Sequence, residues 1–383
     1  MNKERHNNLS TILGAALLVA GMSIGGSTVS IHTVAQSFGF SMTLVLFLGA
    51  SVLMLVTALM LAKVCCRHPN CKSFFSLIAT ILGPNIRNIS LLLLMLLFYT
   101  LMGFYVHVLH DMLGIISYAI ISLLMIGLLI GTYMIDWINR GVMYLLLISF
   151  ALLMVTLLSI FDVGHLWYSG KALTFDSSII FIIIAAFGFQ IIVPSISDYL
   201  KYDFRSLAIA LVIGAVFILL VYSIYTTILI GNLSMDYLVK VTDNPSSLTH
   251  LIQEQNPNSY HWLRSMPIVF YLAAVVSSFI GVSKSLYDVL QDAIPVSNQY
   301  KGFLVISIIA IPALILGHVF LSALALLKLA GLFVIILNII LPAVLSLQSI
   351  KLNQAPSILQ WCVHIGIIGL AIILMIQFFV PIF

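Results

Sequence analysis

Residues 17–32 read LLVAGMSIGGSTVSIH, and residues 184–200 read IAAFGFQIIVPSISDYL. Both are apolar runs of helical length interrupted near the middle, the first by Gly21, Gly25 and Gly26, the second by Gly188, Gln190 and Pro194. Glycine lifts the side-chain barrier to unusual backbone angles, while proline removes a helix donor and clashes with the preceding turn. In lipid such a break would strand backbone polar groups, so it must face protein or a water-filled cavity. The two stretches therefore predict a pair of interrupted membrane helices whose breaks line an internal site. Half-helix N-termini at such breaks suit a carboxylate, and unwound carbonyls suit a cation.

The sequence around them supports the membrane assignment. Of 383 residues, 62% are hydrophobic and 7% charged, with a mean hydropathy of +1.19. Soluble domains carry about 25% charged residues, so this chain lacks the polar surface that water requires. The apolar character runs from Leu9 to Phe383, which excludes a soluble catalytic or nucleic-acid-binding domain. Residues 1–383 are read as one transmembrane domain. The short polar start MNKERHNN and the length of the next apolar run favour a retained first span over a cleaved signal.

A bilayer core takes about 20 apolar residues per helix. On that measure the chain divides into about eleven spans, at 9–31, 39–63, 88–110, 115–134, 141–161, 177–199, 206–231, 265–290, 302–322, 325–348 and 358–380. The division between spans 9 and 10 is the least marked, and Gly317-His318 with the region before Lys328 is its expected turn. With the N-terminus in the cytosol, eleven Lys and Arg residues fall on the inner side, and only Lys171, Lys240 and Arg264 on the outer. That asymmetry obeys the positive-inside rule and fixes the expected orientation. The one long loop, 232–264, contains Pro245 and Pro257 and is expected outside.

Span 8 adds a second pattern. Ser277, Gly281, Lys284 and Asp288 follow i, i+4, i+7, i+11 spacing and share one small, polar face, as a pathway-lining helix would. Ser277 and Ser278 offer hydroxyl oxygens to a small cation. Lys284 is an ionisable residue within a span, a functional signal in itself. It also lies one turn from Asp288, so snorkelling with local pairing is the competing reading. His32, His107 and His110, at outer helix ends, read first as interfacial packing, as do Phe98, Tyr99, Phe104 and Tyr105 on span 3; Asn338 and Gln377 read as interhelical hydrogen-bonders. Cys65, Cys66 and Cys71 crowd one loop with His68, in a spacing that fits no common zinc pattern. A reduced juxtamembrane loop is the plainer reading, and no metal or cofactor is expected.

These three segments together resemble the tyrosine/tryptophan permease family, the aromatic and hydroxy amino acid permeases of the amino acid–polyamine–organocation superfamily. LVAGMSIGGS (18–27) is similar to that family's V-A-G-T-x-I-G-A-G-M. AFGFQIIVPSISDYL (186–200) resembles F-G-F-H-x-x-I-P-x-L-x-x-Y-L, and SSFIGVSKSLYDVLQD (277–292) resembles S-F-L-G-V-x-L-G-L-F-D-F-L-x-D. The resemblance implies an all-α polytopic protein with a five-plus-five inverted repeat (about 9–161 and 177–348), broken helices 1 and 6, and an extra helix at 358–380. It implies import of an aromatic amino acid across a bacterial inner membrane by alternating access, with protons preferred over sodium as the coupling ion. Substrate would lie against Ser23, Ile24, Gly25, Gly26 and Ser27, with Phe187, Gly188, Phe189 and Gln190 as the opposite wall. Carbonyls of Gly21 and Ile24, with Ser277 and Ser278, mark the cation position of sodium-coupled relatives, and Lys284 joins them as a coupling candidate. Three positions depart from the pattern: Ile31-His32 replaces Leu-Pro, Gln190 replaces His, and Lys284 stands where the family has an apolar residue.

The partners are thus an amino acid, a coupling ion and the lipid bilayer, without nucleic acid. Two alternatives stay open: a transporter-fold sensor without turnover, and a permease for a hydroxy amino acid such as serine or threonine. An enzyme is not expected, since HExxH, G-x-S-x-G at a span end and facing aspartates are all missing.

Overall fold

The computed structural model describes residues 9–71, 73–130, 132–158, 161–167, 177–232, 266–293, 301–319, 322–353 and 357–379, all helix or connecting turn. The long 232–264 loop (beyond Asn232) and Lys72, Lys171, Lys240 and Arg264 lie outside the described residues. Among the described residues nine helices are long and apolar enough to cross a membrane, or ten when the bent first pair counts as one span. The remaining expected span, the fourth, is the 15-residue helix Ile116–Ile130. At about 1.5 Å per residue it is shorter than a hydrocarbon core.

Span 1 is the helix Leu9–Ser23, a 3-10 turn Gly26–Val29, and the helix His32–Phe38, with a 49° bend between its halves. Span 2 runs Phe40–Arg67, span 3 Pro84–Leu113 and span 5 Thr132–Leu158. Span 6 comprises Ile180–Ala186, a 3-10 turn Gln190–Ile192 and Val193–Tyr199. Pro194 lies in the first turn of that last helix, where its missing N–H costs nothing, so it starts the second half rather than kinking it. Span 7 is Phe204–Asn232, span 8 Met266–Ala293, span 9 Lys301–Val319 and span 11 Ile358–Phe379. Span 10 joins Ala323–Val334 to Leu341–Asn353 through a π-helical stretch, Ile335–Ile340. The turn between spans 9 and 10 comes just past Gly317-His318, since span 9 continues to Val319.

The connections show why the chain turns where it does. Gly39, Gly83 and Gly114 adopt φ of 74°, 90° and 57°, angles that other residues take at a cost, and each closes one helix before the next begins. The short helix Phe74–Leu82 opens on a Ser73–Ser76 capping box. Asp203 caps span 7 through the Ser206 amide, 3.2 Å away.

In the bilayer, the outward faces should be apolar. Span 7 exposes Ile209, Val212, Val216, Phe217, Leu220 and Ile224, and span 11 exposes Ile365, Ile372, Ile373 and Ile376. Span 8 breaks this rule. Its exposed residues, among those described, are Gly281, Ser285 and Asp288, with no large apolar side chain. Its polar groups are partnered within the helix, Ser285 on the Gly281 carbonyl at 2.8 Å and Asp288 on Lys284 at 3.2 Å. From Ser278 to Asp288 the stripe descends about 15 Å towards the face of the membrane from which span 1 starts, hereafter the near face.

Candidate functional site around two broken helices

The two breaks lie at the centre of the bundle. In span 1 the helix ends at Ser23, and the chain passes Ile24 and Gly25 before the 3-10 turn. Released donors and acceptors there find partners on other spans. The Gly26 amide donates to the Ser278 hydroxyl at 2.7 Å. The Ser23 carbonyl accepts from the Tyr222 hydroxyl at 2.6 Å and from the Ser27 hydroxyl at 3.1 Å. Tyr222 also approaches the Ala186 carbonyl of span 6 at 3.4 Å, so one phenol bridges the two breaks. Within the loop, Thr28 donates its hydroxyl to the Gly25 carbonyl at 2.5 Å.

Close approach makes two of these glycines obligatory. A Cβ on Gly25 would lie 2.5 Å from the Ser278 hydroxyl, and one on Gly26 would collide with the Tyr105 ring. Gly21 and Gly281 differ: a Cβ on either meets nothing within 4 Å. Span 8 packs on the 3-10 turn of span 1 rather than on its near-side helix. On the near side of the contact between Ser278 and Gly26, Gly281, Ser285 and Asp288 of span 8 and Gly21 and Met22 of span 1 are exposed.

The break in span 6 is closed instead. Gln190 is fully buried. Its carbonyl oxygen accepts from the Phe189 amide at 2.9 Å, and its NH2 group donates to the Met54 carbonyl at 3.1 Å and the Thr57 hydroxyl at 2.9 Å. Gln190 therefore bolts the break to span 2 and points away from span 1. Phe187 and Phe189 are both 1% exposed. Phe187 stacks at 5.8 Å on Phe47 and at 5.2 Å on Tyr222. Gly188 is half-buried, and a Cβ there would lie 2.8 Å from the Asn338 amide nitrogen, on the π-helical stretch of span 10. The Asn338 oxygen is buried without a hydrogen-bond partner.

Of the residues expected from the sequence, Ser23 to Ser27 and Ser278 come together at one point. Ser277 is adjacent but turned inwards, donating to the Ala274 carbonyl at 3.1 Å. Lys284 pairs with Asp288 at 3.2 Å, with side chains 29% and 53% exposed, on the exposed polar stripe. His107 meets the Gly317 carbonyl through Nδ1 at 2.9 Å and Asp111 through Nε2 at 3.6 Å. It ties span 3 to span 9. His110 stacks with Tyr118 and His318 in the same region. Tyr99 donates to the Ile308 carbonyl at 2.9 Å, another clamp between spans 3 and 9. The His32 side chain lies outside the described residues. Among the described residues no cluster of His, Cys, Asp or Glu suits a metal, and Cys71 instead approaches the Thr80 hydroxyl at 3.3 Å.

Tyr222 went unnoticed in the sequence. The available signal was a phenol inside an apolar span, where a buried hydroxyl needs a partner.

The model of the tryptophan/tyrosine permease family matches residues 8–383 of this chain. Tyrosine-specific transport system 1 of Haemophilus influenzae is 25% identical over 297 residues, 74% of this chain and 74% of that protein. A tryptophan-specific transport protein of Pseudomonas aeruginosa is 22% identical over 372 residues, 92% of this chain and 89% of its own length. A tryptophan-specific transport protein of Shigella flexneri is 28% identical over 185 residues, 46% of this chain and 44% of that protein.

Proposed function

The chain belongs to the tryptophan/tyrosine permease family, a family of transport proteins and not of enzymes, and on that premise we propose that it imports an aromatic amino acid, tryptophan or tyrosine, by alternating access. The observation that carries this reading is the exposed, small and polar stripe of span 8. It runs from the Ser278–Gly26 contact to the near face. A substrate carboxylate at the span 1 break meets backbone donors of the glycine loop, and the polar stripe gives it a path out. The Lys and Arg asymmetry supports reading the near face as the cytosolic side of a bacterial inner membrane, and on that reading the stripe is the cytosolic exit.

Protons are the proposed coupling ion. Both serines of the sodium-type position already hold backbone partners, Ala274 for Ser277 and Gly26 for Ser278, while the titratable Lys284–Asp288 pair stands on the exposed polar stripe. The test is uptake of labelled tryptophan and tyrosine into proteoliposomes, with and without an inward proton gradient, in sodium and in choline. Accumulation driven by the proton gradient in either salt is the expected result. Binding without uptake would favour a sensor, and uptake of serine in place of aromatic substrates would favour the hydroxy amino acid alternative.

A further inference from the structure

On the far side of the breaks a pair of phenols joins spans 7 and 8. Tyr225 of span 7 and Tyr271 of span 8 place their hydroxyls 2.5 Å apart, at 0% and 1% exposure. Phe150 of span 5 and Phe270 surround them, with Phe150 5.4 Å from Phe270 and 6.2 Å from Tyr225. Span 8 packs along span 5, whereas among the described residues spans 7 and 8 have little close backbone approach. The two phenols therefore reach across a gap between helices that otherwise hardly touch.

Two neighbouring hydroxyls are dry in this state. Thr226, the residue after Tyr225, is fully buried, and its hydroxyl has no hydrogen-bond partner. Its neighbour Thr227 follows the usual habit of a membrane helix and donates to the carbonyl four residues back, that of Ser223, at 2.7 Å. Ser30, beyond the span 1 break on the same far side, is likewise buried with an unpartnered hydroxyl. Buried polar groups without partners are rare because each forfeits its hydration. Hydration in another state would satisfy both hydroxyls.

We propose that the Tyr225–Tyr271 pair is the latch of the far-side entrance: its hydrogen bond holds spans 7 and 8 together while the near side is open, and it parts when the far side opens. The proposal rests on the transport reading above. Its energetic logic is specific. Removing one hydroxyl leaves the other buried without a partner in the closed state but hydrated in the open one, which shifts the population towards far-side opening. Removing both leaves a sealed aromatic seam with no orphan, which shifts it back.

The test is the rate at which a membrane-impermeant thiol reagent, added from the far side, labels Thr226→Cys, with Ser30→Cys as a second reporter. Backgrounds are wild type, Tyr225→Phe, Tyr271→Phe and the double variant. Each single variant should label about tenfold faster, and the double variant should return to within about threefold of wild type. Unchanged labelling in both single variants overturns the latch, and so does a double variant faster than either single one. Equilibrium binding of tryptophan and tyrosine to the wild-type protein is measured alongside. Loss of that binding with the labelling pattern intact defeats the substrate reading and leaves the latch standing; the reverse pair of results does the opposite.

Discussion

The two broken spans interrupt their helices at similar depth with similar residues, yet the protein holds them in different ways. Span 1 bends by 49° and satisfies its loop with hydroxyls borrowed from spans 7 and 8. Span 6 is satisfied by its own Gln190, which also fastens it to span 2, and its flanking phenylalanines are buried. Borrowed, single-point contacts can be exchanged for a ligand. A fully satisfied, buried clamp cannot be exchanged without loss. The comparison supports the proposal that the first break binds and moves while the second anchors.

The largest effect should come from Gly25→Leu. Its side chain displaces the Ser278 hydroxyl and fills the break, so uptake should fall by about 100-fold or more while expression and insertion persist. Flux per inserted molecule checks this. Gln190→Leu should act on stability instead. It orphans the Phe189 amide and cuts the tie to span 2, where the Thr57 hydroxyl and the Met54 carbonyl keep their bond to each other, at a cost of about 2 kcal/mol, seen as a lower Tm with KM nearly unchanged in the surviving protein. A large rise in KM without a Tm shift would reverse the roles of the two breaks.

Tyr222→Phe sharpens the comparison, because the ring keeps its contacts with Phe47 and Phe187 while the bridge between breaks and the bond to the Ser27 hydroxyl are lost. A loss of about 1.4 kcal/mol, or about tenfold in uptake, is expected. Lys284→Met should have the least effect on stability, below about 0.5 kcal/mol for an exposed i,i+4 pair. It should nevertheless alter the pH dependence of uptake while leaving KM for the aromatic substrate unchanged, and Lys284→Arg should restore the profile poorly. An unchanged pH profile in both variants would return Lys284 to a surface pairing role.

Much of this architecture was readable in the sequence because apolar length and helix-breaking residues act locally. Among the described residues each apolar segment falls on helix, and the interruptions come at Ile24–Gly25 and Phe187–Phe189, next to Gly26 and at Gly188, while Gly21 and Pro194 are helical. Of the small polar face read on span 8 from helical spacing, Gly281 and Asp288 are exposed and Ser277 is buried. The direction of Gln190 was not legible in the sequence. It opens a 3-10 turn, where the α-helical phase used to assign faces no longer holds, and its partners Met54 and Thr57 lie more than 130 residues away in the chain. Tyr222 was hidden for a related reason: what it holds is backbone carbonyl, which carries no residue-type signal.

The central claim is that the span 1 break holds the substrate and the span 6 break does not. It is tested most directly by the dissociation constants of L-tryptophan and L-tyrosine for purified Gly25→Leu and Gln190→Leu proteins, each beside wild type. The account predicts a loss of about 100-fold or more for folded Gly25→Leu, and a constant within about threefold for folded Gln190→Leu despite its lower Tm. Wild-type affinity in Gly25→Leu, with binding lost in folded Gln190→Leu, would contradict it.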